Sequence, residues 1–509
     1  MIRLLALIPV LLAVSPLLGL LGLILNPPKD PFGGEPASLW MLLSDGAVFG
    51  LLLNSVYVAL TSAVMSVLCG GWLAWVNYRY QYRGKRLLFL GSLLVFATPS
   101  YILAGTLRVQ MNNLTVLPDF SGLWASIVCL TIVCIPYAQV IISSALTRLS
   151  GSELEAAIQL GASNRDAFTV AIWPQIKESV QLSFFISFLY AIADFGAVAT
   201  LNAPVLTWRL YESIRNQDLQ QASILGVLSL MAVVPVFLLV NRYRSQPNRL
   251  SNPRKVKPIP LKGNKRVLLY CVYAGLIWLG VVWPTVELCS WVVEGWQRGL
   301  SFTSQWDATF GSLVCAAIGA FLTTVLVIAP AWLYVQESDF YKNSTFLASA
   351  LPGILLAFGL MTLTLLITKH TGGYHLVLSS GVLLFSGYAM RFLSEGFSPI
   401  ASSMRQINPQ LSDIAKILDR YPKPWVKNVL LPHIAPSIVR AYFLVFLACI
   451  KELPITLLLG GSTGLKTLTF RTWDRYNEAL WHDAGFSGLI LLLIAFMMTV
   501  VTLHWKADA

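Results

Sequence analysis

About a dozen runs of roughly 20 apolar residues punctuate this chain, each long enough to cross the hydrocarbon core of a bilayer. Six lie near 3–25, 47–76, 86–106, 122–147, 178–200 and 222–241. Six more lie near 267–289, 309–335, 344–367, 376–400, 437–459 and 485–503. Composition agrees: 12% of residues are charged, against roughly 25% in soluble domains. The expected fold is an all-α polytopic membrane protein with about 12 transmembrane helices. The first run has Arg3 ahead of an apolar core, as a secretory signal does. Pro9 and Pro16 interrupt it, however, and no small-residue cleavage site precedes Asn26-Pro27-Pro28, so it reads as a retained helix.

The net charge of +12 is concentrated rather than spread. Arg242, Arg244, Arg249, Arg254, Lys255, Lys257, Lys262, Lys265 and Arg266 fall between residues 241 and 266, where there is no Asp or Glu. The loop Tyr78 to Arg86 adds Arg79, Arg83, Lys85 and Arg86. Short loops rich in Lys and Arg stay in the cytoplasm. Counting spans outward from them puts both termini in the cytoplasm. Orientation explains the basic segment, so no nucleic-acid partner is expected. The seven cysteines and five histidines show no CxxC or Cys/His ligand spacing, and no metal site is expected.

The two sets of six runs share a register. Asn54-Ser55 lines up with Gly311-Ser312 at an offset of 257, Pro99 with Pro352 at 253, and Leu206-Thr207 with Leu468-Thr469 at 262. The chain therefore divides into a first repeat over 1–240, a basic cytoplasmic linker over 241–266 and a second repeat over 267–509. An even number of spans inserts both repeats with one polarity. The expectation is a pseudo-two-fold axis along the membrane normal, with the transport pathway between the repeats. One chain then already supplies a pseudo-dimer, and no homodimer is required.

Between the fourth and fifth runs of each repeat lies a polar loop. The first reads Glu155-Ala156-Ala157-Ile158-Gln159-Leu160-Gly161, with Pro174 thirteen residues after its last position. The second reads Asp413-Ile414-Ala415-Lys416-Ile417-Leu418-Asp419, with Pro432 at the same spacing. Ser150 with Glu153 suits a capping box that opens a short helix, and Asn408-Pro409 supplies a cap and a first-turn proline. Gly161 suits a left-handed terminator, and Ser163 or Asn164 suits the cap of the next helix. Two short helices at matched places, about 150–164 and 408–422, are what a membrane body needs to grip two copies of a soluble motor.

The Glu-Ala-Ala…Gly…Pro loop between spans four and five of a six-span unit resembles the signature of binding-protein-dependent ABC importer permeases. Fusion of two units in about 500 residues, with Asp194-Phe195-Gly196 and Lys451-Glu452-Leu453-Pro454, looks most like the ferric-iron transporter permeases. Fused thiamine importer permeases share much of the pattern. The resemblance implies two parallel six-helix repeats of type I importer architecture in a bacterial inner membrane. Its coupling helices would dock an ATPase through Glu155, Ala156, Ala157 and Gly161, and through Asp413, Ala415 and Asp419. The second copy departs from the pattern, with Asp419 at the glycine position, where a side chain costs more in the left-handed conformation. The implied partners are two ABC ATPase subunits, an external solute-binding protein and membrane lipid. This chain has no GxxxxGK[ST] loop, so ATP and Mg belong to the partner and this chain is not an enzyme.

Asp194 lies 20 residues beyond Pro174, and Glu452 lies 20 beyond Pro432. That is about 30 Å of helix, which places both acids toward the external end of the fifth span. Across the pathway mouth they would favour a cation. Alternatively each serves the backbone beside Gly196 or Pro454, or Glu452 pairs with Lys451. Asn54, Ser55, Thr98 and Ser100 are further candidates for the pathway, or for packing between helices. A secondary transporter driven by an ion gradient is the rival class. It would need no docking helices and would carry titratable groups near the midplane.

Overall fold

The computed structural model describes residues 2–25, 46–113, 119–149, 156, 159–161, 163–244, 258–300, 305–336, 338–368, 373–417 and 423–504. Nine helices among them are long and apolar enough to span a membrane: Ala6–Leu25, Gly46–Arg79, Gly122–Thr147, Phe168–Ala193, Leu219–Val240, Asn264–Gln297, Gln305–Gln336, Val426–Ile450 and Trp481–Thr502. Two pairs, Lys85–Ala97 with Ser100–Asn112 and Phe340–Ala350 with Gly353–Thr368, qualify only together and bend by 93° and 98°. Each bend falls at a proline, Pro99 or Pro352, which gives the helix ladder no N–H. The described residues thus hold 9 to 11 spans where hydropathy suggested about 12. The expected run 376–400 is divided among Tyr374–Ser379, Val382–Arg391 and Leu393–Arg405, with Gly381 at φ 75° between the first two.

Three π-helical turns have one sequence cause. Phe168–Ile172, Trp278–Val282 and Val426–Leu430 each run into an X-Pro pair: Trp173-Pro174, Trp283-Pro284 and Leu431-Pro432. Proline lacks the N–H and crowds the carbonyl four residues back, and a widened turn accommodates both without ending the helix. The fifth spans therefore begin at Phe168 and Val426, about ten residues ahead of the expected 178 and 437. Lys177, Glu178, Lys427 and His433 depress the hydropathy of those leading turns.

The labelled helices are, in chain order, α1 (Ile2–Leu25), α2 (Gly46–Arg79), α3 (Lys85–Leu93), α4 (Ser100–Asn113), α5 (Gly122–Thr147), α6 (Trp173–Ala193) and α7 (Gly196–Thr200). They continue with α8 (Asn264–Ile277), α9 (Gln305–Gln336), α10 (Gly353–Thr368), α11 (Leu393–Arg405), α12 (Pro409–Ile417) and α13 (Leu431–Ile450). Two compact units form. The first comprises Gly46–Trp208 and Met231–Glu287; the second takes α1, Arg209–Leu230 and the chain from Leu288 onward. In the first, α2 packs along α5 and α6. A Cβ at Gly70 would lie 2.7 Å from Ile135 O and 2.9 Å from Gln139 N. The backbones meet that closely because van der Waals packing, not exclusion of water, joins helices in lipid.

In the second unit α1 crosses α10, and a Cβ on Gly359 would lie 2.5 Å from Pro16 O. There α9 packs on α11 and α13 around Val327, Ala331, Phe397, Ile400 and Ile434. The packing units thus differ from the sequence repeats: α1 and Arg209–Leu230 of the first repeat pack in the unit built mainly by the second, and the opening of the second repeat, up to Glu287, packs in the unit built by the first. Within the first unit, Thr98 Oγ1 donates to Gly280 O at 2.7 Å and fastens the segment that opens the second repeat. Of the linker, 245–257 lie outside the described residues. Its end forms a strand, Ile259–Pro260, that pairs in parallel with Tyr80–Gln81.

A buried polar network supports the same seam. Tyr273 Oη on α8 accepts Asn77 Nδ2 at 2.6 Å and Gln139 Nε2 at 2.9 Å. The Tyr82 hydroxyl donates to Asn77 Oδ1, and Ser92 Oγ donates to Gln139 Oε1 at 3.0 Å. Burial, reinforced by Tyr273 and Tyr270, pushes the Tyr82 hydroxyl well above its ordinary range and keeps it a donor. Tyr273→Phe removes an acceptor shared by two buried amides, at about 1–3 kcal/mol for each group left unsatisfied. A melting temperature several degrees lower in detergent is the expected result; an unchanged one would mean that water replaces the hydroxyl.

Candidate functional site

In the two polar loops the expected boundaries at Gly161, Ser163 and Asn408 are present, and the Ser150–Glu153 box falls outside the described residues. In the first, Glu155 and Ala157 lie outside the described residues, as do Ser150 and Glu153. Leu160 N donates to Ala156 O at 3.0 Å, and Gly161 follows at φ 89°, the left-handed residue at which this turn ends. Ser163 opens the next helix: its Oγ donates to Asp166 Oδ2 at 2.6 Å and accepts Asp166 N at 3.2 Å. Ala156, Leu160 and Gly161 are all exposed.

The second loop shows more of its surface. Asn408 Oδ1 accepts Gln410 N at 3.0 Å, and Pro409 is the first residue of α12. Asp413 is exposed, and Asp419 lies outside the described residues. Ala415 turns inward, into the buried cluster with Phe397, Ile400, Met404, Trp425 and Leu430, so it anchors α12 to the membrane body. The open face instead carries Leu411, Ile414 and Ile417 at i, i+3 and i+6, and Ile417 is 83% exposed. Residues at that spacing share one side of a helix. Apolar i, i+3 spacing inside an otherwise polar loop is the sequence signal that points to them.

The two acids sit where α6 and α13 end, remote from the docking loops. Asp194 leaves α6 in extended backbone at φ −67°, ψ 133°. Its Oδ2 accepts Ser100 Oγ at 2.6 Å and its Oδ1 accepts Ala197 N at 2.8 Å. One carboxylate thereby holds the first residue of α4 and the first turn of α7, both positive helix ends. In the second unit the matching break holds Glu452, whose Oε1 would lie 2.5 Å from a Cβ on Gly353, the first residue of α10. The pairs are complementary: Asp with Ser100 in one unit, the longer Glu with Gly353 in the other. A methylene added to the acid occupies the space that the serine side chain gives up.

The other candidates are also engaged locally. Asn54 Nδ2 donates to Pro204 O at 3.0 Å, and Ser55 Oγ accepts Leu206 N at 2.8 Å. In the second unit Ser312 Oγ accepts Leu468 N at 2.6 Å, while Gly311 sits directly against Lys466 O. The bond from serine to leucine N–H recurs in both units at the register read from the sequence. Lys451 is the residue that ends α13, its N–H donating to Ala448 O at 3.3 Å. Among the described residues no three or more His, Cys, Asp or Glu side chains are grouped to hold a metal ion.

Residues 41–245 match the family described as "Binding-protein-dependent transport system inner membrane component". Over 464 residues the chain is 24% identical to the Fe(3+)-transport system permease protein FbpB 2 of Haemophilus influenzae, covering 87% of this chain and 88% of that protein. The chain is a fused two-domain ABC importer permease. This permease is also 23% identical over 512 residues to the thiamine transport system permease protein ThiP of Escherichia coli, covering 94% and 91% of the two chains. The spermidine/putrescine transport system permease protein PotC of Haemophilus influenzae matches it at 27% over 201 residues, 38% of this chain and 79% of PotC. A multi-pass inner-membrane permease of this family agrees with the apolar helices described above, and the ion-gradient-driven reading is set aside.

Proposed function

We propose that this permease imports ferric iron delivered by an external solute-binding protein, by alternating access driven from the cytoplasm. The observation that carries the cargo is the similarity to a ferric-iron permease along 87% of the chain. Two copies of an ATPase subunit, which bring ATP and Mg, dock on the loops at about 150–164 and 408–422. The exposed apolar face of α12 supports this, because a partner that covers Ile414 and Ile417 removes both from water. Both loops, both termini and the two basic segments lie on the cytoplasmic side in this reading. Asp194 and Glu452 hold the shape of the route by fastening the broken helices, and cargo selection rests mainly with the binding protein.

A thiamine cargo is the second reading, favoured by the match to ThiP along 94% of the chain. Reconstitution of the permease with its ATPase and purified binding proteins separates the two. A several-fold rise in ATP hydrolysis with the ferric-loaded protein is expected. Stimulation by a thiamine-loaded protein alone moves the cargo to thiamine. Uptake driven by a proton or sodium gradient without the ATPase would overturn the importer mechanism itself.

A further inference from the structure

A cavity of about 970 Å³ opens where several helices of the first unit end. Its walls are the last turns of α2, the loop Gln81–Gly84, the first turns of α3 and the last turn of α5. These are the ends of membrane-spanning segments on one side of the unit, the level at which lipid headgroups lie. Arg83, Lys85 and Arg86 line it, and among the described residues no Asp or Glu does. The rest is largely apolar, including Leu87, Phe89 and Leu149, and Leu87 is 75% exposed.

We propose that this cavity holds an anionic phospholipid, its phosphate against Arg83, Lys85 and Arg86 and an acyl chain along Leu87, Phe89 and Leu149. Basic pockets between membrane helices take acidic headgroups for this reason: charge neutralisation and chain burial are satisfied by one amphiphile. Two local features add to the case. Helix α3 opens onto the cavity behind Gly84 at φ 75°, with no side chain capping its positive end. Ser143 in the wall keeps a buried Oγ with no hydrogen-bond partner among the described residues. The orientation bias accounts for basic residues in this loop, but not for their convergence with apolar side chains on a single cavity. A free anion would satisfy the charges and leave the apolar wall empty; a zwitterionic lipid would satisfy the wall and carry its own cation.

The inference is independent of the cargo and of the docking loops, and is tested on the whole chain. The purified permease is placed in nanodiscs of phosphatidylcholine doped with phosphatidylglycerol, and tightly held lipid is counted by native mass spectrometry after transfer to detergent. Retention of phosphatidylglycerol over phosphatidylcholine is expected, with at least a tenfold loss in the double variant Arg83→Gln, Arg86→Gln, on the basis of about fivefold per basic group removed near a membrane surface. Thr147→Trp, which puts an indole into the cavity from its wall and leaves every charge, is expected to weaken lipid retention as well. Equal retention of the two lipids, or wild-type retention in a monodisperse sample of either variant, would overturn the proposal. Displacement of the lipid by 10 mM inorganic phosphate alone would also overturn it and leave a simple anion site.

Discussion

Aspartate at both Ile414 and Ile417 is expected to reduce the ATPase recovered with this permease by more than a hundredfold. Each isoleucine removed from water by a partner contributes about 1.5–3 kcal/mol, and every 1.4 kcal/mol is tenfold in affinity. Both side chains point away from the body, so the membrane part should keep its melting temperature and elution profile. Ala415→Asp is the control with the opposite signature. Ala415 lies inside the cluster around Phe397 and Trp425, so a carboxylate there is buried among apolar side chains and the body itself loses stability. Recovery of wild-type amounts of ATPase with the double aspartate variant would show that α12 docks by another face, or not at all.

The second large effect is expected where the acids meet the broken helices. Ser100→Gly alone removes the hydroxyl that donates to Asp194, a bond to a charged group of about 1.5–3 kcal/mol. Asp194→Glu alone pushes a methylene into the space of Ser100, an overpacking of about 1–3 kcal/mol. Together they rebuild in the first unit the arrangement of Glu452 over Gly353. The double variant is therefore expected to recover at least half of the melting temperature that the two single variants lose together. Strict additivity would show that the carboxylate and the serine are not coupled. Uptake per folded molecule separates this role from direct contact with the cargo. If the acids serve the helix ends, Asp194→Asn with Glu452→Gln lowers the melting temperature and leaves uptake per folded molecule near wild type. A selective loss of ferric uptake at unchanged stability would instead place the carboxylates on the route.

Much of this was legible in the sequence, for reasons that differ by element. The long apolar runs and their register were plain, because hydropathy and offsets are properties of the letters. The same register aligned both ends of the bonds that Leu206 N donates to Ser55 and Leu468 N to Ser312, although not the bonds themselves. The caps at Asn408 and Ser163 and the left-handed Gly161 were also visible, since each depends on a few neighbouring residues. The bends at Pro99 and Pro352 were not, because a hydropathy window averages across a turn of the chain. Nor was the inward face of Ala415: a nine-residue helix shows which residues share a side, but not which side is covered. The exchange of Ser100 and Asp194 for Gly353 and Glu452 was hidden for another reason. Each position alone looks like drift between repeats, and the compensation appears only when the two are seen in contact.

The exchange of first helices bears on how the protein is made. Helix α1 is synthesised more than 300 residues ahead of its partner α10, which begins at residue 353. At about 5–20 residues per second of synthesis, α1 waits in the bilayer for roughly a quarter of a minute to a minute before that neighbour exists. Half-length polypeptides divided between the repeats would each lack a helix that the other carries, so neither would mature without its complement.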